Sequence, residues 1–155
     1  MTRLHHQFHL RLAVPADATR LVQIHRQARI AAMPWLPVLR RSEDDLGWMT
    51  NVVLPQQEVW VAESNQTIGF IALTAMEVEH LYIDPAAWRK GAGSALLDRA
   101  KKRRPDGFRL WTFQRNAMGR AFYRKHGLVE LLTTDGSGNE EKEPDVRLGW
   151  KETEA

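Results

Sequence analysis

The 155-residue chain is predicted to be a single α/β domain, residues 1–155, on a mixed and mostly antiparallel sheet. Three observations predict it. Short apolar runs of strand length alternate with helical segments along the whole chain. The turn Gly91-Ala92-Gly93 leads from an apolar strand straight into an amphipathic helix. And 43% apolar residues in a chain of this length can bury one core.

The elements follow in order, about seven strands and about four helices by periodicity. Residues 10–14 read as the first strand, and Pro15-Ala16-Asp17 opens a helix with Leu21, Ile24, Ala28 and Ala31 or Ala32 on one face. Pro34 and Pro37 break it. A second helical piece is expected to start with Ser42 as N-cap and Glu43, Asp44 and Asp45 in its first turn. It carries Leu46, Met49 and Val53 inward and ends at Pro55. Residues 58–64 and 67–75 alternate as a hairpin about Asn65-Gln66, and residues 77–83 form the fourth strand. A helix over residues 92–103 closes at Pro105-Asp106-Gly107 and returns as a fifth strand, 108–113, parallel to the fourth. Asn116 caps the next helix, Gly127 ends it with positive φ, and strands at 128–133 and 146–151 flank the polar loop 135–145.

Composition excludes several chemistries. With no cysteine there is no disulfide, thiolate metal site or cysteine nucleophile, which suits a reducing cytoplasm. No apolar run approaches the roughly 20 residues of a membrane span, and the N-terminus lacks a signal-peptide core. A cytoplasmic protein without a membrane partner is expected. His5, His6, His9, His25, His80 and His126 lack ligand spacing, so no metal is expected. Arg99, Lys101, Lys102, Arg103 and Arg104 gather at one helix end, where the dipole favours cations; a solvated helix face accounts for them better than nucleic acid does.

The stretch Trp88-Arg89-Lys90-Gly91-Ala92-Gly93-Ser94 carries the chemistry. Gly91 and Gly93 have no Cβ, so backbone N–H groups can approach an anion closely at the positive end of the following helix. Neither a dinucleotide G-x-G-x-x-G nor a phosphate loop G-x-x-x-x-G-K-[ST] is present, and a pyrophosphate is the ligand this turn suggests. Over residues 77–128 the chain resembles the GNAT family of acetyl-coenzyme A dependent N-acetyltransferases. Gly91 and Gly93 fall on the two small positions of that family's pyrophosphate loop, R/Q-x-x-G-x-G/A, while Trp88 stands where Arg or Gln is usual. Asn116-Ala117 and Ala121-Phe122-Tyr123-Arg124-Lys125-His126-Gly127-Leu128 are similar to its second signature, N-x-x-A-x-x-F-Y-x-x-x-G-F.

The resemblance implies a sheet splayed between its fourth and fifth strands, with acetyl-coenzyme A as co-substrate. Backbone groups around Leu81, Tyr82 and Ile83 would pair with the pantetheine. Trp88, Arg89, Lys90, Gly91, Ala92, Gly93 and Ser94 would hold the pyrophosphate, Asn116 the cofactor arm, and Tyr123 would protonate the leaving thiolate. An amine acceptor must also lose a proton. Strict alternation puts Glu77 and Glu79 on the side of Leu81 and Ile83, so either can be the base, Glu79 by proximity. His80 is the rival, pointing to the opposite face, where a structural histidine is expected.

Trp35, in a proline-rich loop, and Trp111 and Phe113 on the fifth strand are candidates to line the acceptor groove that the resemblance places there, with Trp48 and Gln114 nearby. The acidic run 139–145 either attracts a cationic amine or is a solvated hairpin tip. The expected function is transfer of acetyl to a small or peptide amine in a ternary complex, with a homodimer common in the family. The alternative is a non-catalytic acyl-coenzyme A sensing module, for which Trp88 is the hint.

Overall fold

The computed structural model describes residues 8–151, so His5 and His6 lie outside the described residues. The elements run β1 (His9–Leu12), a 3-10 turn Pro15–Asp17, α1 (Ala18–Ala32), α2 (Ser42–Trp48), a π-helical turn Met49–Val53, α3 (Leu54–Gln56), β2 (Glu58–Ser64), β3 (Gln66–Leu73) and β4 (Val78–Ile83). A 3-10 turn Pro85–Ala87, α4 (Ala92–Arg103), β5 (Phe108–Phe113), α5 (Ala117–Lys125), β6 (Val129–Thr133) and β7 (Asp145–Trp150) complete it. No helix among the described residues is long and apolar enough to cross a membrane.

The seven strands form two antiparallel sheets, β1-β2-β3-β4 and β5-β7-β6. They meet through one isolated bridge, Glu77 with Arg109, and it is parallel, as the α4 crossover requires. Beyond it β4 and β5 diverge. One apolar cluster spans both sheets: Leu96, Leu97 and Ala100 of α4 cover Ile71, Leu73 and Val78 on one side and Phe108, Leu110 and Leu148 on the other. Leu21 and Ile24 of α1, with Met49 and Val53, cover the opposite face of the first sheet at Val59, Val61, Phe70 and Ala72. Each of the larger side chains among them contributes about 1.5–3 kcal/mol of burial, which is why the helices sit where their apolar stripes fall.

Two local expectations change. Arg41, in extended backbone, precedes the first turn of α2 in place of Ser42, and the Asp44 carboxylate accepts the Arg41 N–H at 3.3 Å. Inward-facing Asp45, bonded to Arg26 at 2.6 Å, takes the place expected for Leu46, which is exposed. Pro55 does not end the helical run, because the preceding turn widens: the Leu54 N–H reaches back to the Met49 carbonyl, and a π turn absorbs the proline ring.

Candidate active site

The divergence leaves β4 with an open edge. Asp84 N–H bonds Ile68 O on β3 at 2.7 Å. Antiparallel alternation then turns the backbone groups of Leu81 and Ile83 away from β3, toward the gap. Ile83 O is already engaged there, accepting from the Trp88 indole N–H at 2.8 Å. Trp88, the residue that departs from the family pattern, is thus tied to the rim of the slot.

The loop after it bends through two left-handed residues, Arg89 at φ 65° and Gly91 at φ 93°. Gly91 is the N-cap of α4 and brings no side chain to the helix end, and the first backbonding amide is Ala95 N–H to Gly91 O at 3.0 Å. The amides of Ala92, Gly93 and Ser94 therefore lie in the turn whose N–H groups have no intrahelical acceptor. Arg89 and Lys90 are exposed beside them. A Cβ on Gly93 would stand 3.4 Å from the Phe122 ring, so α4 and α5 approach closely there. Ser94 Oγ is 3.0 Å from His126 Nε2, a ring kept below the usual histidine range by burial and the Lys101 charge. This half of the site fits a pyrophosphate.

The glutamates are placed differently from the alternating expectation. Ala72 pairs with His80 but Leu73 pairs with Val78, so Glu79 is the extra residue of a β-bulge. The bulge shifts the phase by one: Val78, in place of Glu77, joins Leu81 and Ile83 against the α4 core. Glu79 is exposed and accepts a hydrogen bond from Thr74 Oγ1 at 2.8 Å. Glu77 is ion-paired with Arg147 and sits 3.8 Å from Arg109. Neither carboxylate lines the cavity beside α1 or the one on the second sheet.

His80 does. It lines a cavity of about 540 Å³ between α1, the 33–41 loop, α2 and the β6–β7 loop, with His25, Arg29 and Trp48. The three rings pack edge to face or tilted, His80 5.0 Å from Trp48 and His25 5.4 Å from Trp48. Burial, reinforced by the Arg29 charge, pushes His80 down to about 4 and His25 to about 3, so both are neutral near pH 7. Arg29 donates to Tyr82 Oη at 3.3 Å and to Glu141 at 3.1 Å. Tyr123, on α5, packs against the α4 core, and burial together with Tyr82 raises its phenol well above the ordinary tyrosine value. Asn116 caps α5 by accepting from Gly119 N–H at 3.0 Å and also reaches Thr112.

The polar loop is a latch and not a free tip. Glu140 pairs with Arg40, Glu141 with Arg29 and Glu143 with Arg115. Trp35 is held edge-on to Phe113 at 6.2 Å, under the Arg115 guanidinium at 4.0 Å. Trp111 is 42% exposed, with Arg147 at 4.9 Å from its ring. Neither it nor Phe113 borders that cavity; both line a second one, of about 660 Å³, on the second sheet. The basic helix end is tied down as well, Arg103 and Arg104 on Glu58 and Arg99 over Trp60. Sequence reasoning missed Arg29 and His25, whose part is visible only once α1 lies over β4.

An open-edged strand, a glycine turn on a helix start and a cavity across the sheet define an acetyltransferase of the GNAT type. Residues 55–130 match the acetyltransferase (GNAT) domain family. It is 29% identical over 113 residues, 72% of this chain and 76% of the relative, to the peptidyl-lysine N-acetyltransferase YjaB of Salmonella typhimurium. In fold it is similar to apo YjaB of Escherichia coli (TM-score 0.78, 22% identity, 94% of this chain and 98% of the other). It is likewise similar to YncA of Salmonella typhimurium, solved with acetyl-CoA (TM-score 0.72, 20% identity, 97% of each chain).

Proposed function

We propose that the chain moves an acetyl group from acetyl-coenzyme A to a primary amine within one ternary complex. The carrying observation is the outward-facing backbone of Leu81 and Ile83 on an unpaired edge that runs into the bare N-terminus of α4. A pantetheine amide chain pairs with such an edge as an added strand, and a pyrophosphate is held by the Gly91 to Ser94 amides with Arg89 and Lys90 supplying charge. That the coenzyme complex is known for a protein of this fold supports the reading.

The amine enters through the cavity on the α1 side. Its nitrogen attacks the thioester carbon, the C–N bond forms, the C–S bond breaks and the thiolate leaves. The proton lost by nitrogen goes to His80, the β4 side chain bordering the cavity. The role assigned to Glu79 or Glu77 from alternation moves there because of the bulge. A weakly basic imidazole suffices because an apolar site also lowers the pKa of the ammonium, and attack is by the neutral amine. Tyr123 donates to the leaving sulfur; its raised pKa makes it a hydrogen-bond donor over the whole working range. Asn116 steadies the start of α5 and hence Tyr123.

The test is thiol release from acetyl-coenzyme A over an amine panel, beside a thermal shift with the coenzyme alone. Amine-dependent release supports transfer. Stabilisation without release for any amine favours the sensing module, and no stabilisation overturns the coenzyme reading.

A further inference from the structure

The lining of the α1-side cavity carries information about the acceptor that the coenzyme half does not. Its floor is the ring cluster of His25, Trp48 and His80. Its wall continues outward through Ile30, Met33 and Leu36 to Val38 and Leu39, which are 61% and 50% exposed at the mouth. Four carboxylates border the same space: Asp45 is paired with Arg26, Glu140 with Arg40 and Glu141 with Arg29, while Asp44 is half-exposed and only 3.6 Å from Arg41, which Glu43 holds at 3.2 Å. An acceptor with several ammonium groups needs an unpaired carboxylate for each charge it buries, because desolvating an uncompensated cation is costly. No unpaired buried carboxylate is on offer here. An apolar stem, by contrast, gains about 25 cal/mol for each Å² it buries against that wall.

We infer that the acceptor is a primary monoamine at the end of an apolar stem, an alkyl or arylalkyl amine or a lysine side chain, seated amine-first on the His25–Trp48–His80 floor. The inference rests on the acetyl-transfer reading and narrows its substrate class. The neutral state of both histidines agrees with it, since they add no positive charge where the amine must shed its own. Two ion pairs, Arg29 with Glu141 and Arg40 with Glu140, join the two sides of the mouth, so the stem must be slender.

The experiment compares kcat/KM at saturating acetyl-coenzyme A for n-pentylamine, 2-phenylethylamine, a blocked lysine amide, spermidine and kanamycin. The expected result is that the best apolar-stem amine exceeds spermidine and kanamycin at least about tenfold, the gap that one well-buried apolar group supplies. Blocked lysine ahead of the free amines assigns a peptide source; the reverse order assigns a small molecule. Spermidine or kanamycin as the best acceptor overturns the inference. Leu39→Asp, which adds an unpaired carboxylate at an exposed position, narrows the gap; an unchanged gap also counts against it. If no amine releases thiol although the coenzyme binds, the transfer reading falls. The pocket is then judged by the Trp48 indole N–H resonance under n-pentylamine titration: a saturable shift upholds it and no shift overturns it.

Discussion

Under the proposed mechanism Tyr123, packed against the α4 core, donates a proton and His80, on the α1-side cavity, accepts one, so their substitutions separate. Tyr123→Phe removes only an oxygen from a packed ring, and kcat is expected to fall about 10²-fold with the coenzyme Kd within about twofold. His80→Gln is expected to lower kcat/KM about 10²-fold while Glu79→Gln changes it by less than about twofold, both read as initial rates of thiol release. The reverse order would return the base to the bulge. Trp88 has a different signature. Trp88→Phe keeps the ring but frees Ile83 O, one hydrogen bond of about 0.5–1.5 kcal/mol, and is expected to weaken acetyl-coenzyme A binding about threefold to tenfold by calorimetry at unchanged kcat.

At the scale of elements, the latch brings Glu140 and Glu141 to the wall of the proposed acceptor cavity through a neck that only glycine fits. Gly136 has φ 83°, and a Cβ there would lie 2.3 Å from the Glu143 carbonyl carbon. Gly136→Ala must displace the segment carrying Glu140 and Glu141, so the acceptor KM is expected to rise about tenfold while the coenzyme Kd holds, in steady-state kinetics and calorimetry. How much of this was legible differs by element. Strand Glu58–Ser64, strand Phe108–Phe113 and helix Ala92–Arg103 were read to the residue, because alternation, a glycine start and a Pro-Asp-Gly stop are local signals. The glycine turn at Gly91 was legible for the same reason. The bulge at Glu79 was not, since it is defined by pairing with Ala72 and Leu73 and by nothing in residues 77–83 themselves. One extra residue is therefore why the proposed base is His80 and not Glu79 or Glu77. The cavity was equally hidden, being assembled from helix, loops and strand far apart in sequence, and the acidic run 139–145 found its partners only when Arg29, Arg40 and Arg115 came to meet it.

For the whole molecule, the neutral histidines set a pH limit. His25 and His80 bind no proton in the folded state until about pH 3 and 4, whereas in the unfolded chain they do so below about 6.5. Between those values the unfolded state holds more protons, so stability is full above about pH 6.5 and falls as pH drops. His126, also lowered, adds in the same direction. Carboxylates such as Glu58, held down to about 2 by Arg103, Trp60 and Arg104 against the cost of burial, lose their contribution only below their ordinary value of 4.5. A scan from pH 7.5 to 5.0 thus isolates the histidines, and the Tm is expected to drop on the order of 5 °C. A His25→Phe variant should lose part of that drop; a Tm independent of pH in this window would mean the rings are hydrated.

The unpaired side of β4 has a second consequence, colloidal in kind. A row of free amide and carbonyl groups is a template on which another chain can add a strand, and that is a route to self-association. Here the template is short. The bridge of Glu77 with Arg109 closes one end of it, and the indole of Trp88 blunts the other at Ile83. What lies between is too brief to nucleate a growing ribbon, so the residues proposed to pair with a ligand also keep neighbouring molecules apart.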